Sequence, residues 1–304
     1  MQLIAEQLLN GLQFGLMLFL LAAGLTLVFG IMDLMNLAHG SLYMIGAYLM
    51  ATIAAATGNF WLALPLAIVC TALVGLLLER SLVRHLYHRD HLAQVLATCA
   101  VILIADDRVK MIWGPAPLML NAPPSLAGPV ELVLGFYYPA YRLLIIGVGL
   151  LCAVGLYLLV TRTRAGMLVR AGASNREMAA VMGVRVSRLF AAIFVLGAAL
   201  CAVAGALLGP VLAVEVGMGE NILILALVVI VIGGIGSIRG ALVGALLVGI
   251  VDTAGRAFLP TLLNAFLPLN VAANLGPALA AIAIYVLMAA VLFFKPSGLF
   301  PARG

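Results

Sequence analysis

The stretch LLNGLQFGLMLFLLAAGLTLVFGI, residues 8–31, contains 24 residues and no charged side chain. As a helix it would be about 36 Å long, which exceeds the roughly 30 Å hydrocarbon core of a bilayer. Gly11 and Gly15 lie four residues apart and give that helix a narrow, small face, over which a second backbone can approach closely. The stretch predicts a membrane-spanning helix that packs tightly against a neighbour.

Similar apolar runs recur along the whole chain of 304 residues, of which 65% are hydrophobic and only 9% are charged. Soluble domains have about half apolar and a quarter charged residues. So few charges cannot cover a globular surface in water, and most of the surface must therefore face lipid. We predict an all-α, polytopic transmembrane helix bundle that forms one domain over residues 1–304.

Glycines, prolines and charges divide the chain into about eight or nine spans. The predicted spans are 8–31, 38–57, 61–79, 92–112, 138–160, 189–213, 222–238, 241–258 and 272–294. Residues 222–258 form either two spans or one span with a re-entrant hairpin, because both apolar pieces are short and rich in glycine. The Pro-rich stretch 114–129 is predicted as an external connector. Small residues at every fourth position from Gly197 to Gly209 predict a further tightly packed helix face.

The distribution of basic residues predicts the orientation. Six of the sixteen Lys and Arg residues lie in segment 161–188, and cytoplasmic loops collect such residues. If this segment is inside, the inside segments hold 12 of the 16, and the outside holds only Arg108, Lys110, Arg142 and Arg256. We predict that the N-terminus is outside and the C-terminus inside.

Segment 161–188 also carries the signals of a short helix. Ser174 and Glu177 have the spacing of a capping box, in which the two side chains satisfy backbone N–H groups at a helix start. Gly183 is a helix stop, and the helix between them would contain about eight residues, roughly 12 Å in length. A helix this short is marginal alone in water, so it must dock on something.

Two interpretations of this short helix remain. Met178, Val181 and Met182 form an apolar face, which would lie on lipid headgroups or insert into a groove of a cytoplasmic partner. The small residues Ala179 and Ala180 favour close approach to a protein.

Four ordered stretches resemble the branched-chain amino-acid permease family of ABC importers. The first, which is similar to the Glu-Ala-Ala loop of such permeases, consists of Arg170-Ala171 with Ala173, Glu177, Ala179, Ala180 and Gly183. The other three, which are similar to further signatures of the family, are GLTLVFGIMDLMNLAHGSLYMIGAY (24–48), GGIGSIRGALVGALLVG (233–249) and FKPSGLF (294–300). The resemblance covers nearly the whole chain.

This resemblance implies a multi-pass subunit of a bacterial inner-membrane importer that carries branched-chain or related small amino acids by alternating access. Relatives in the same family are associated with urea, amides and aromatic acids, so the substrate stays open. The implied partners are two cytoplasmic ATPase subunits, a second similar permease and a periplasmic solute-binding protein. The ATPase-coupling residues that it implies are Arg170, Ser174, Arg176, Glu177, Met178, Ala179, Ala180, Met182 and Gly183.

Polar residues and glycines near helix ends are candidates for the pathway or a gate. They are Asn36, His39, Gly40, Tyr43, Gly233, Gly234, Gly236 and Ser237. The histidine either holds two helices at a tight turn through hydrogen bonds, or acts as a gate or pH sensor. The glycines either allow close packing or a hinge, or expose backbone groups to a solute at a helix break.

Two positions depart from the family pattern. ADDRVK, residues 105–110, stands where the family usually carries a more apolar segment, and Asp33 stands where a small neutral residue is common. We place the charges of Asp106, Asp107, Arg108 and Lys110 at the outer interface, with Trp113 as an interfacial anchor.

The residues give little support for enzymatic activity, metal binding or ion-driven transport. The only lysines, Lys110 and Lys295, do not belong to a phosphate-binding loop, so partner subunits would bind and hydrolyse ATP. The residues form no catalytic constellation, and the chain is therefore not predicted to be an enzyme or to hold a cofactor. His85, His88 and His91 are interpreted as a solvated face, and no metal site is predicted. The alternative function is a stand-alone secondary transporter driven by an ion gradient. It would need intramembrane acids, for which Asp252 is the candidate, although this residue is predicted to pair with Arg256 on one helix.

Overall fold

The computed structural model describes residues 2–87, 89–133, 135–174 and 176–300. Within these ranges the side chains of Val133, Ser174, Arg176 and Glu177 lie outside the description. The helices are α1 (Gln2–Met32), α2 (His39–Thr57), α3 (Phe60–Leu78), α4 (Arg84–Leu86), α5 (His91–Trp113), α6 (Ala140–Arg162), α7 (Arg164–Ser174), α8 (Arg176–Val181), α9 (Val186–Leu208), α10 (Met218–Gly233), α11 (Ile238–Leu263) and α12 (Leu269–Phe294).

Seven helices of the described chain are long and apolar enough to cross a membrane. They are α1, α2, the continuous helix Phe60–Leu86, α6, α9, α11 and α12. Each predicted span has a helix at its position, which confirms a polytopic helical bundle. Two of the nine fall short of a full apolar span. Helix α5 carries too many charges, and the 16 residues of α10 are only about 24 Å long.

Helix α1 lies at the centre of the bundle and packs against α11, α9 and α6. The predicted glycine faces explain how close these helices come. A methyl group at Gly15 would lie 2.8 Å from the carbonyl oxygen of Ala245, and one at Gly205 only 2.2 Å from that of Tyr43. Both distances are below van der Waals contact, so backbones touch directly where the sequence has glycine. The prediction of close packing on these faces is confirmed.

The glycine-rich turn after α10 and the C-terminal segment form one unit. Gly234 ends α10 with φ +101°, a conformation that favours glycine, and Ser237 caps α11 by accepting a hydrogen bond from the Gly240 N–H at 3.1 Å. The N–H groups of Leu299 and Phe300 donate to the last carbonyls of α10 at 2.9 Å. Two stretches that resemble family signatures therefore meet in space.

Several boundaries differ from those predicted, and two of the differences have a clear local cause. The predicted loop 80–91 begins as helix, because a π-helical segment, Glu79–Val83, continues α3 into α4. Glu79 is buried there and accepts a hydrogen bond from the Tyr87 hydroxyl at 2.6 Å. Helix α9 ends at Leu208 and not at residue 213, because Gly209 and Pro210 follow it.

The predicted external connector contains structure that the sequence did not reveal. After a 3₁₀ turn at Pro124–Leu126, strand β1 (Pro129–Val133) pairs antiparallel with β2 (Phe136–Pro139). The predicted span 138–160 was therefore wrong at its start, since β2 occupies residues 138 and 139. A bridge between Leu118 and Val214 ties the connector to the loop after α9.

Candidate functional site

The segment between α6 and α9 turns back on the bundle through a tight corner. A methyl group at Gly166 would lie 2.2 Å from the carbonyl oxygen of Val160, so only glycine fits between α6 and α7. The Gly166 N–H donates to the Thr163 hydroxyl at 3.1 Å, and the Arg170 guanidinium donates to the Val160 carbonyl. Helix α7 was not predicted, and it packs on both α6 and α1.

Helix α8 ends where the sequence predicted. Gly183 has φ +88°, its N–H donates to Ala180, and the Val184 N–H donates to Ala179, which is the hydrogen-bond pattern of a Schellman motif. The helix is therefore confirmed at its C-terminal end, although it has only six residues, Arg176–Val181. The capping-box prediction involves the side chains of Ser174 and Glu177, which lie outside the described part, as does Asn175.

The described side chains of α8, and that of Met182 after its end, are apolar. Val181 and Met182 are 84% and 78% exposed, Met178 is also largely exposed, and Ala179 faces inward. Exposed apolar side chains on a water-facing helix indicate a surface that another molecule covers. The coupling role of these residues stays a prediction.

The candidate gate residues lie deep in the protein. His39 and Asn36 are almost completely buried, and His39 fits only because Gly24 and Gly197 carry no side chain against its ring. Within the described ranges neither the Asn36 amide nor the His39 ring makes a hydrogen bond of ordinary geometry, although the Leu21 carbonyl lies near the ring. Two buried polar groups without such partners are costly. A gating role for them remains a prediction.

The N-termini of α2 and α10 meet beside these residues. A methyl group at Gly40 would lie 2.2 Å from the Gly219 carbonyl oxygen. The crevice next to this contact is lined by Ser41, Asp106 and Glu220, among others, and the two carboxyl groups face each other. Asp106 therefore points towards α10 and not simply towards the outer interface.

Trp113 and two other charges of the ADDRVK region, Asp107 and Lys110, have described contacts within the protein, and their place at the outer interface stays a prediction. Trp113 packs against Tyr48, with ring centroids 5.2 Å apart, and donates to the Thr52 hydroxyl at 2.6 Å. Asp107 and Lys110 are exposed on α5 and form an ion pair at 3.6 Å. Trp113 therefore anchors the end of α5 to the end of α2.

The glycines 233, 234 and 236 lie in close backbone contacts. A methyl group at Gly233 would lie 2.4 Å from the Gly240 backbone, and Gly236 lies against Gly30. Tyr43 is buried between helices. These contacts fit the packing interpretation, and the role of these residues in a pathway is untested.

Sequence reasoning missed a cavity of about 620 Å³ between α1, α6, α9 and α11. Its polar lining includes Asn10, Gln13 and Arg142 together with the pair Asp252 and Arg256. The predicted pairing is confirmed, since the Arg256 Nε donates to both Asp252 carboxylate oxygens at 2.8 and 2.9 Å. A glutamine inside a mostly apolar span is the signal that could have pointed to this cavity.

Known proteins are similar to this chain over nearly all of its helices. The family described as "Branched-chain amino acid transport system / permease component" matches residues 7–294. The high-affinity branched-chain amino acid transport system permease protein BraD of Pseudomonas aeruginosa is 34% identical over 268 residues, covering 82% of this chain and 85% of that protein. The corresponding permease protein LivH of Escherichia coli K12 is 32% identical, with 84% and 87% covered.

A third similar protein comes from another organism. The probable branched-chain amino acid transport permease protein LivH of Methanocaldococcus jannaschii is 31% identical over 252 residues, covering 78% of this chain and 76% of that protein. No solved structure matches the chain. With seven helices able to cross a membrane and a family match over nearly its full length, this multi-pass membrane protein belongs to the family of branched-chain amino acid transport permease components.

Proposed function

We propose that this chain is the permease subunit of an ATP-driven importer for branched-chain or related small amino acids in a bacterial inner membrane. The observation that carries the proposal is the exposed apolar face of α8, Val181 and Met182, held between two spans by a Schellman turn. Relatives that are permeases of branched-chain amino acid transport systems support the substrate class.

Two cytoplasmic ATPase subunits would supply the energy for transport, and one of them would bind α8. The chain has no phosphate-binding loop of its own, so ATP is bound by those partners. Helix α7 touches both α6 and α1, and α9 follows directly after α8. A displacement of α8 would therefore reach the central helix through α7 and α9, and the closely packed glycine faces would pass it on as a shift of whole helices.

A second, similar permease would cover α5. Asp107 is 76% exposed in the isolated chain, on a helix whose preceding residues are apolar. Charges within a membrane segment face a protein interior or a water-filled cavity, because lipid does not solvate them. The second permease and a periplasmic binding protein that delivers the solute complete the proposed importer.

The test is purification of the tagged chain from its native membrane with identification of the proteins that accompany it. We expect two ATPase subunits and a second permease. Met182→Asp and Glu177→Arg should abolish ATPase capture and amino-acid uptake, while Met119→Asp, which changes an equally exposed methionine at the other end of the molecule, should leave both intact. If the purified chain transports solute alone and without ATP, the importer proposal is wrong, and the chain is an ion-driven transporter.

A further inference from the structure

The cavity between α1, α6, α9 and α11 lies at the end of the bundle opposite to segment 161–188. Arg142 stands in the first turn of α6, whereas Arg162 ends that helix, about 30 Å away. The charge distribution predicts that this end faces outside. A volume of about 620 Å³ is in the range of small-molecule sites and accommodates a small solute with some water.

One side of the cavity is cationic. Asn10 holds Arg142 in place, because its Oδ1 accepts hydrogen bonds from the Arg142 guanidinium and, at 2.9 Å, from the Tyr138 hydroxyl. Within the described part of the chain, Arg142 has no carboxylate at ion-pair distance. Since Asp252 compensates Arg256, the lining carries one excess positive charge, which suits a carboxylate.

A second group lacks a partner at the cavity wall. Gln13 lines the cavity, is only 4% exposed, and makes no hydrogen bond to any described residue. Its amide atoms are not fully enclosed and border the cavity, so a ligand that offers a donor or an acceptor can bind to them in place of water. The carboxylate of Asp252 also lines the cavity and provides an acceptor for an ammonium group.

The remaining wall is apolar. Phe14 of α1, Leu208 of α9, and Val211 and Leu212 in the loop after it line this side. Branched aliphatic side chains pack well against such residues, whereas a strongly polar side chain would lose its hydration there. Cationic, acidic and apolar surfaces thus occur in one cavity.

We propose that this cavity binds an α-amino acid zwitterion with an aliphatic side chain on its way through the permease. The ligand carboxylate lies at Arg142, its ammonium group at Asp252 and Gln13, and its side chain against Phe14 and Leu208. The inference rests on the proposed import function and adds a site within this one chain.

The first experiment measures ligand protection in the assembled importer in nanodiscs. Thr253, on the cavity wall, is replaced by cysteine in a background without the four native cysteines, and a thiol reagent is applied with increasing L-leucine. We expect L-leucine to slow labelling, and 4-methylpentanoate and isoamylamine, which lack the ammonium and the carboxylate, to act at least tenfold more weakly. Equal protection by all three compounds, or none by L-leucine, would overturn the site.

A second set of variants separates binding from folding. In the Thr253→Cys background, Gln13→Leu and Arg142→Gln should raise the L-leucine concentration for half-protection by roughly tenfold, the loss expected for one hydrogen bond to a charged group. The matched control is Asn274→Leu, an amide on the exposed side of α12 outside the cavity, which should leave it unchanged.

The outcomes distinguish the two proposals. If the wild-type importer takes up L-leucine with ATP, but labelling and variants show no response, the cavity proposal fails and the import function stands. If L-leucine protects Thr253→Cys but ATP drives no uptake, the import function fails and the cavity still binds the amino acid.

Discussion

Helices α1 and α6 have similar composition and opposite surroundings. Helix α6 is the more apolar by mean hydropathy, yet 28% of its most apolar window is buried, against 83% for α1. Gly11, Gly15, Gly24 and Gly30 of α1 each lie against a neighbouring backbone, whereas Gly147 and Gly155 of α6 have nothing within 4 Å of a methyl group placed there. Interior position in this protein therefore follows the contacts of small residues and not hydropathy.

The physical reason is that lipid is as apolar as leucine. A membrane helix gains little from moving apolar side chains out of lipid, so the free energy of association comes from packing and hydrogen bonds. Close backbone approach increases the number of packed atoms, and only small residues permit it. Helix α1 is built for this contact, while α6 faces lipid over much of its surface.

Of the substitutions that test this packing difference between α1 and α6, Gly15→Leu is expected to have the largest effect on stability. The new side chain would meet the Ala245 and Leu246 backbone, which cannot move as a side-chain tip can. We expect loss of monodisperse protein in size-exclusion chromatography and a free energy of unfolding lower by more than about 2 kcal/mol in SDS titration. Gly147→Leu in α6 should leave both measurements unchanged. Equal damage by both variants would contradict the packing argument.

Cavity formation gives the next largest effect. Leu20 of α1 is fully buried, and Leu20→Ala should lower the free energy of unfolding by about 2 kcal/mol, because the surrounding helices cannot close the space. Leu151 of α6 is 73% exposed, and Leu151→Ala should change it by less than about 0.5 kcal/mol. The same SDS titration measures both. Similar losses would mean that the surface of α6 is covered by protein and not by lipid.

A single hydrogen bond at the start of α6 gives a smaller test of the same comparison. The Tyr141 hydroxyl donates to the Leu207 carbonyl at 2.8 Å and ties α6 to the end of α9. Tyr141→Phe should lower the thermal stability in detergent by the equivalent of about 1 kcal/mol. Tyr285→Phe on α12 serves as the control, since the Tyr285 hydroxyl bonds to none of the described residues. Unchanged stability of Tyr141→Phe would show that lipid or water replaces this bond.

Local patterns predicted the helices and several of their ends. Gly183 stops α8 because its positive φ suits glycine, and the spacing of Asp252 and Arg256 places both on one face of α11. The hairpin after residue 128 was missed, because two strands of five and four residues after a Pro-rich stretch give too short a pattern. Helix α7 was missed because its two arginines and two glycines among 11 residues resemble the composition of a loop.

The candidate cavity could be predicted only in part. Gln13 is conspicuous in an apolar run, but Arg142 was assigned to an outside loop with no link to it. Asn10 brings Arg142 and Tyr138 together across more than 120 positions of sequence, through hydrogen bonds that no local pattern encodes.

The sequence by itself determined that the chain crosses a membrane repeatedly, where most helices begin and end, and which family it resembles. These properties depend on hydropathy, turn residues and motifs that act over a few residues. The tertiary structure decided which span lies at the centre, where α8 presents its apolar face, and which polar groups share a cavity. Those features depend on contacts between backbones that are distant in the sequence. A glycine allows such a contact, but the sequence does not say which backbone lies against it.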